Sequence, residues 1–223
     1  MAQQDKVNGP HQGQQLLAAG KPLTEADAAM ILIHGRGASA QDILGLGQAL
    51  AGDRLALLAP QAANNTWYPY SFLAPLDNNE PYLSSALLRI ADLVDEVEAA
   101  GIPAERIFLA GFSQGACLAS EFVARHARRY GGLLVFSGGL IGPPGTPRDY
   151  PGTLDGTPVF LGCSDSDPHI PEERVHETAE TLAALDAHVS EVIYPGMGHT
   201  IVQDELNRAQ EIINSQWPIT NDQ

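Results

Sequence analysis

The amino-acid sequence predicts an α/β protein with one mostly parallel central sheet covered by helices on both faces. Three observations lead there. Short apolar runs of strand length alternate with segments of helical periodicity along most of the chain, as parallel sheets with crossover helices require. No internal repeat and no linker divides the 223 residues. That length suits a single core, since larger cores usually split.

The elements follow in order. Residues 1–22 are polar and rich in Gln and Gly, which predicts an N-terminal tail or an edge strand ahead of the main domain over 23–223. Met30–Ile33 reads as a buried strand. Ser39–Ala51 reads as a helix with Ser39 placed to cap it. Arg54–Leu58 is a second strand. The clearest helix spans 82–100, where Leu83, Leu87, Ile90, Leu93, Val94 and Val97 share one face and Gly101 and Pro103 stop it. Ile107–Ala110 is a strand, Ala116–Arg129 a helix and Leu133–Phe136 a strand. The Pro- and Gly-rich stretch 142–158 reads as a surface loop. Pro158–Leu161 is a strand, Glu172–Leu185 a helix, Val189–Tyr194 a strand and Ile201–Ile213 a closing helix.

Composition narrows the function classes. Hydrophobic residues make up 44% and charged residues 17%, the balance of an ordinary globular protein. The formal charge of −15 disfavours nucleic acid and anionic membrane surfaces as stable partners. The longest apolar run, Ala28–Ile33, is far below membrane-spanning length. The opening MAQQDKVNGP lacks the basic start and apolar stretch of a secretory signal, so the expected compartment is the cytoplasm. Cys117 and Cys163 stand far apart, in neither metal nor redox spacing. No cofactor and no metal are expected.

The chemistry centres on Gly111-Phe112-Ser113-Gln114-Gly115, a G-x-S-x-G motif lying between a strand and a helix. That setting is the one a nucleophile elbow needs: a sharp turn, relieved by glycines, that projects the serine at the carboxyl end of the sheet. A serine hydroxyl is a weak nucleophile near neutral pH and needs a base held by an acid. In this architecture the order is serine, acid, histidine. Order and position disfavour His11, His34 and His126, and His176 and His188 have no turn around them. His199 follows a strand within Pro195-Gly196-Met197-Gly198-His199, where two glycines let the loop carry an imidazole over the sheet edge. The acid belongs on the loop after Pro158–Leu161, where Asp165 and Asp167 both qualify. The oxyanion needs two backbone donors, for which the Gln114 amide and the Arg36 amide in His34-Gly35-Arg36-Gly37 are the candidates. His34 is read as a buried strand-end histidine with no chemical role.

In this order HGRG, GFSQG, DPHIP and GMGH resemble the phospholipase/carboxylesterase family of α/β-hydrolases, which includes bacterial carboxylesterases and acyl-protein thioesterases. The resemblance runs from about Gln12 to Ile213. It implies that Asp167, in a D-x-x-I-P pattern, is the acid rather than Asp165, and it supports Ser113, His199 and the two amides. Family members are often monomers or homodimers. Two departures bear on substrate rather than on chemistry: Arg36-Gly37-Ala38 stands where members carry Leu-Gly-Asp, and Trp67-Tyr68-Pro69 where they often carry Trp-Tyr-Asp or Trp-Phe-Asp. Ser113 separates the chain from the related dienelactone hydrolases, whose nucleophile is cysteine.

Residues 60–81 form a long connection holding Trp67, Tyr68, Tyr70 and Phe72. These aromatics either wall an acyl or alcohol pocket or pin the loop as a satellite cluster. Trp67, Tyr68 and Phe72 are the candidate pocket residues, with Ile170 beside the acid. The interval between the strands near 138 and 158 is too short for a helical cap, so an open site is expected. The leading expectation is a serine carboxylesterase acting on short or compact small-molecule esters. A thioesterase or lysophospholipase would use the same residues. A non-catalytic binding protein on this fold would show a broken triad, and here each member is present.

Overall fold

The computed structural model describes residues 9–216. Residues 1–8 of the expected tail or edge strand, and residues 217–223, lie outside the described residues.

Among the described residues, seven strands form one sheet, numbered along the chain and ordered β1-β3-β2-β4-β5-β6-β7. They are β1 (Leu16–Gly20), β2 (Ala29–Ile33), β3 (Ala56–Pro60), β4 (Ile107–Phe112), β5 (Gly132–Phe136), β6 (Pro158–Ser164) and β7 (His188–Tyr194). Only β1 runs antiparallel, pairing with β3 from Leu16↔Pro60 to Gly20↔Ala56. The other neighbours are parallel. Side chains alternate across the sheet, so each central strand feeds two cores. Ala29, Ile31 and Ile33 of β2 face α2 (Tyr82–Ala99), α3 (Gln114–Arg125) and α4 (Glu172–Ala184). Met30 and Leu32 face α1 (Ala40–Ala51) and α5 (Gln203–Gln216). The chain is thus a single-domain α/β-hydrolase fold, and no helical cap interrupts the 137–157 stretch. No helix among the described residues is long and apolar enough to cross a membrane.

Local chemistry explains most boundaries. Ser39 caps α1 in a reciprocal box: its Oγ accepts from the Asp42 amide at 3.3 Å and its own amide donates to Asp42 Oδ2 at 2.8 Å. Several boundaries differ from the sequence expectation, among them the end of β6, which runs on to Ser164, the start of β3 and both ends of α3. β3 starts at Ala56 rather than Arg54, because Gly52 turns the chain at φ 57° and the Arg54 amide still bonds back to Ala51. α3 starts two residues earlier than expected and ends at Arg125 instead of Arg129. Its end is fixed by the His126 ring stacked on Phe122 at 4.6 Å and by Tyr130, whose hydroxyl donates to the His126 carbonyl.

The start of α5 holds a buried acid. Glu205 is wholly buried; its Oε2 accepts from the Val202 amide at 2.8 Å, while Oε1 has no partner among the described residues. Burial pushes its carboxyl from the ordinary 4.5 up to about 7, against the Val202 hydrogen bond. Folded Glu205 therefore holds a proton that the unfolded chain has released, and stability contributed by the neutral acid is lost as pH rises from about 4.5 through 7. Glu205→Gln keeps the acceptor and cannot ionise. The difference in Tm between variant and wild type should become more positive from pH 5 to pH 8, by several degrees at ~2–4 °C per kcal/mol. Thermal melts at the two pH values check this, and a difference that stays constant would show that Glu205 does not titrate on folding.

Candidate active site

The site is built where β4 turns into α3. Ser113 sits at that turn with φ 56° and ψ −121°, a conformation that costs a non-glycine residue about 1–3 kcal/mol. Its neighbours make the turn possible. A Cβ at Gly111 would come within 2.5 Å of the Gly115 backbone, and one at Gly115 would overlap the Ile33 carbonyl oxygen. The turn is held by the Ser113 amide donating to Phe136 O and by the Cys117 amide donating to Ser113 O, each at 3.0 Å.

His199 and Asp167 come to this serine from the ends of β7 and β6. His199 Nε2 lies 2.9 Å from Ser113 Oγ, and Nδ1 lies 2.7 Å from Asp167 Oδ2. The imidazole sits between the Phe112 ring at 4.9 Å and the His169 ring at 4.8 Å. Asp167 Oδ1 accepts from the His169 and Ile170 amides at 2.8 and 3.1 Å. Burial alone would raise this carboxyl, but the His199 contact and the two amides outweigh it and hold it below the usual carboxylate range. Asp165, the other candidate, instead accepts from the Gly196 amide at 2.8 Å, and Ser164 Oγ accepts from the Gly198 amide at 3.0 Å. Both therefore position the loop that carries His199; Gly196 and Gly198 have φ of 63° and 74°. Both cysteines are buried and unpaired, and burial pushes each thiol up to about 12, so neither competes as a nucleophile.

The HGRG turn lies against the elbow, with a Cβ at Gly35 falling 3.4 Å from Ser113 Cβ. The Gly37 and Ala38 amides bond to Asn65 and Gly35 carbonyls, whereas the Arg36 amide has no acceptor among the described residues. The Arg36 side chain, which the sequence did not place, donates to the Pro69 and Tyr70 carbonyls at 2.9 and 2.6 Å and lies over the Tyr68 ring. Gln114 also does more than offer an amide. Its Oε1 accepts from the Trp67 amide at 2.8 Å and its Nε2 donates to Tyr68 O at 2.8 Å. His34 is buried, as read from the sequence, with Nδ1 on Gly35 O and Nε2 accepting from the Ala62 amide. His11 is its counterpart from the N-terminal segment, accepting from the Ala63 amide and contacting Trp67 O. Nothing in the sequence pairs these histidines, since the amides they accept from lie 28 and 52 positions away.

A cavity of about 490 Å³ opens over Ser113 and His199. Tyr68, Phe72 and Ile170 line it with Cys117 and Phe112, as do Arg36, Tyr70 and His169 at its exposed side. Trp67 corrects the expectation for a pocket wall: it is fully buried behind the cavity, with its indole N–H donating to His34 O at 2.9 Å. An indole needs a partner when buried, and that partner lies under the loop rather than in the pocket. Phe112 and His169, missed in the sequence, flank His199 because each adjoins a residue of the site.

Comparison with known proteins fits this geometry. The sequence model of the phospholipase/carboxylesterase family matches residues 18–217. The chain belongs to that family. Within it, the chain is similar to a phospholipase/carboxylesterase from Dyadobacter fermentans, whose crystal structure shares 48% identity and a TM-score of 0.87 over 90% of this chain and 96% of that one. Acyl-protein thioesterase 1 of Gibberella zeae is 34% identical over 133 residues, covering 58% of this chain and 56% of the relative. The chain thus aligns with about half the length of the curated relatives it matches. A Bacillus cereus carboxylesterase, 18% identical with a TM-score of 0.75 over 92% and 96% of the two chains, shares the fold.

Two glycines test the elbow against an ordinary helix. Gly115→Ala sets a methyl against a backbone carbonyl that cannot move without breaking β2–β4 pairing, and should cost ~3 kcal/mol or more, the upper end of overpacking. Gly45→Ala in α1 meets nothing within 4 Å and should be neutral or stabilising by about 0.5–1 kcal/mol. Urea unfolding of both variants checks the contrast, and equal effects would refute the close approach.

Proposed function

We propose that this chain is a serine carboxylesterase that hydrolyses short or compact carboxylic esters through an acyl-enzyme on Ser113. The observation that carries the reading is the continuous relay Asp167–His199–Ser113, at 2.7 and 2.9 Å, on the wall of an accessible cavity. His199 Nε2 takes the Ser113 proton as Oγ attacks the ester carbonyl. Asp167 keeps the other proton on Nδ1 and stabilises the imidazolium that forms. The tetrahedral oxyanion rests on the Arg36 and Gln114 amides, donors pre-aimed by the HGRG turn and by the clamped Gln114 side chain. His199 then protonates the leaving alcohol, and water, activated by the same imidazole, cleaves the acyl-enzyme.

Substrate size follows from the walls. Tyr68, Phe72, Cys117 and Ile170 are each under a tenth exposed and close the inner side of the cavity. Each buried methylene contributes about 0.8 kcal/mol, so a pocket that ends early stops rewarding chain length early. An acyl thioesterase is the second reading, favoured by the name of the Gibberella relative, and the same residues serve it. The two buried unpaired thiols fit a reducing compartment, and we place the enzyme in the cytoplasm.

A series of 4-nitrophenyl esters from acetate to palmitate, each below its aggregation limit, tests both parts. The wild type should show its highest kcat/KM at short chains, and Ser113→Ala should lose roughly 10³-fold or more and fail to label with a fluorophosphonate. Activity kept by a folded Ser113→Ala would end the serine mechanism, and an optimum at palmitate would move the substrate to lipids or acyl-proteins.

The two aspartates should separate in kinetics. Asp167→Asn offers His199 an amide that no longer fixes the Nδ1 proton, and kcat should fall roughly 10³–10⁴-fold. Asp165→Asn retains an oxygen for the Gly196 amide and should fall less than about tenfold. Steady-state rates on one short ester decide it, and the reverse order would transfer the acid's role to Asp165.

A further inference from the structure

Building on the esterase reading above, we propose that the natural ester carries a carboxylate and that the Arg36 guanidinium binds it. Among the described residues lining the cavity, Arg36 is the only permanently charged side chain. The carboxylate of the site, Asp167, has no exposed side-chain surface and is screened by His199 and two amides. The cavity therefore presents a positive charge with no facing anion, on a chain of net charge −15.

Arg36 is also fixed in place. Its two terminal nitrogens donate to the Pro69 and Tyr70 carbonyls, and its carbon lies 6.0 Å from the Tyr68 ring centroid. Carbonyls and a ring face orient the group without cancelling its charge, and no carboxylate of the described residues lies within ion-pair distance of it. A guanidinium has five N–H donors, and two hydrogen bonds leave donors for a ligand. Held at the exposed side of the cavity that contains Ser113, it reaches an anion on a compact substrate whose ester carbonyl is at the serine. The overall negative charge does not cancel this attraction, since charges beyond about 8 Å are largely screened at physiological ionic strength, while the guanidinium contact is direct and charge-assisted.

Two matched pairs of esters test the proposal. Monoethyl succinate and ethyl succinamate differ in a charge on the acid side, and 4-acetoxybenzoate and 4-acetoxybenzamide in a charge on the alcohol side. In at least one pair the wild type should favour the anion in kcat/KM by about tenfold or more, as one charge-assisted hydrogen bond gives. The pair that shows it locates the anion. Arg36→Gln should bring that ratio to about one, and Arg36→Lys should retain part of it. Both variants lose the two-carbonyl clamp, so a purely structural Arg36 would lower all rates and leave the ratio unchanged in both. A ratio at or below one in both pairs, or a ratio insensitive to Arg36→Gln, overturns the inference while hydrolysis of the neutral esters leaves the esterase reading standing. No hydrolysis of any of the four, with no fluorophosphonate labelling of Ser113, overturns both.

Discussion

The close approach of α3 to the end of β2 is the constraint on which the rest of the site depends. Only hydrogen at the α-carbon of Gly115 lets the helix begin against the Ile33 carbonyl, and that contact sets how sharply the chain turns at Ser113. The HGRG turn leaves β2 directly after Ile33, so the same contact sets Gly35 against the serine. The backbone strain of a serine at positive φ is local and of order 1–3 kcal/mol. It is sustained because every residue from Gln114 to Ala124 is buried, which fixes the helix against the sheet on grounds unrelated to chemistry. A strained serine is thus held by an ordinary core.

The loop between β3 and α2 shows how a long irregular segment becomes a wall. Two uncharged histidines receive consecutive amides, His34 from Ala62 and His11 from Ala63, and Trp67 stands between their rings at 5.1 and 5.2 Å. Burial lowers both imidazoles from their usual range, since neither can be charged while accepting an N–H. The unfolded chain binds these protons first, so their support for the loop is complete above about pH 6.5 and declines as pH falls below it. Gln114 and Arg36 hold the outer half of the loop by its carbonyls at 68, 69 and 70. The aromatic segment is therefore both of the things it was read as: Trp67 pins it from below, and Tyr68 and Phe72 face the cavity.

Acidity is divided by depth. The chain as a whole carries a formal net charge of −15. Inside, each buried acid meets a different environment. Asp167 receives three N–H groups and stays ionised, Glu121 pairs with Arg125 and receives the Ile141 amide, and Glu205 has a single amide and is pushed toward neutrality. Hydrogen bonds to the charged form separate Asp167 from Glu205, because burial acts on both in the same direction.

The sequence by itself determined the sheet, the helices and the identity of the residues gathered at the serine. Strand runs and helical periodicity are local patterns, and the motifs around Ser113, Asp167 and His199 carry their own turn glycines and neighbours. From residues alone Asp165 and Asp167 were equivalent, and only a family resemblance separated them. The structure distinguishes them physically, because register places Asp167 Oδ2 on the imidazole and Asp165 on the Gly196 amide. Tertiary structure alone decided that Trp67 lies behind the pocket, that His11 and His34 flank its ring, that Glu205 Oε1 lacks a partner among the described residues, and that the Arg36 guanidinium rests on the Pro69 and Tyr70 carbonyls. Those facts depend on which distant segment arrives beside a side chain, and burial and hydrogen-bond partners at separations of 28 to 52 residues leave no periodic trace in the chain.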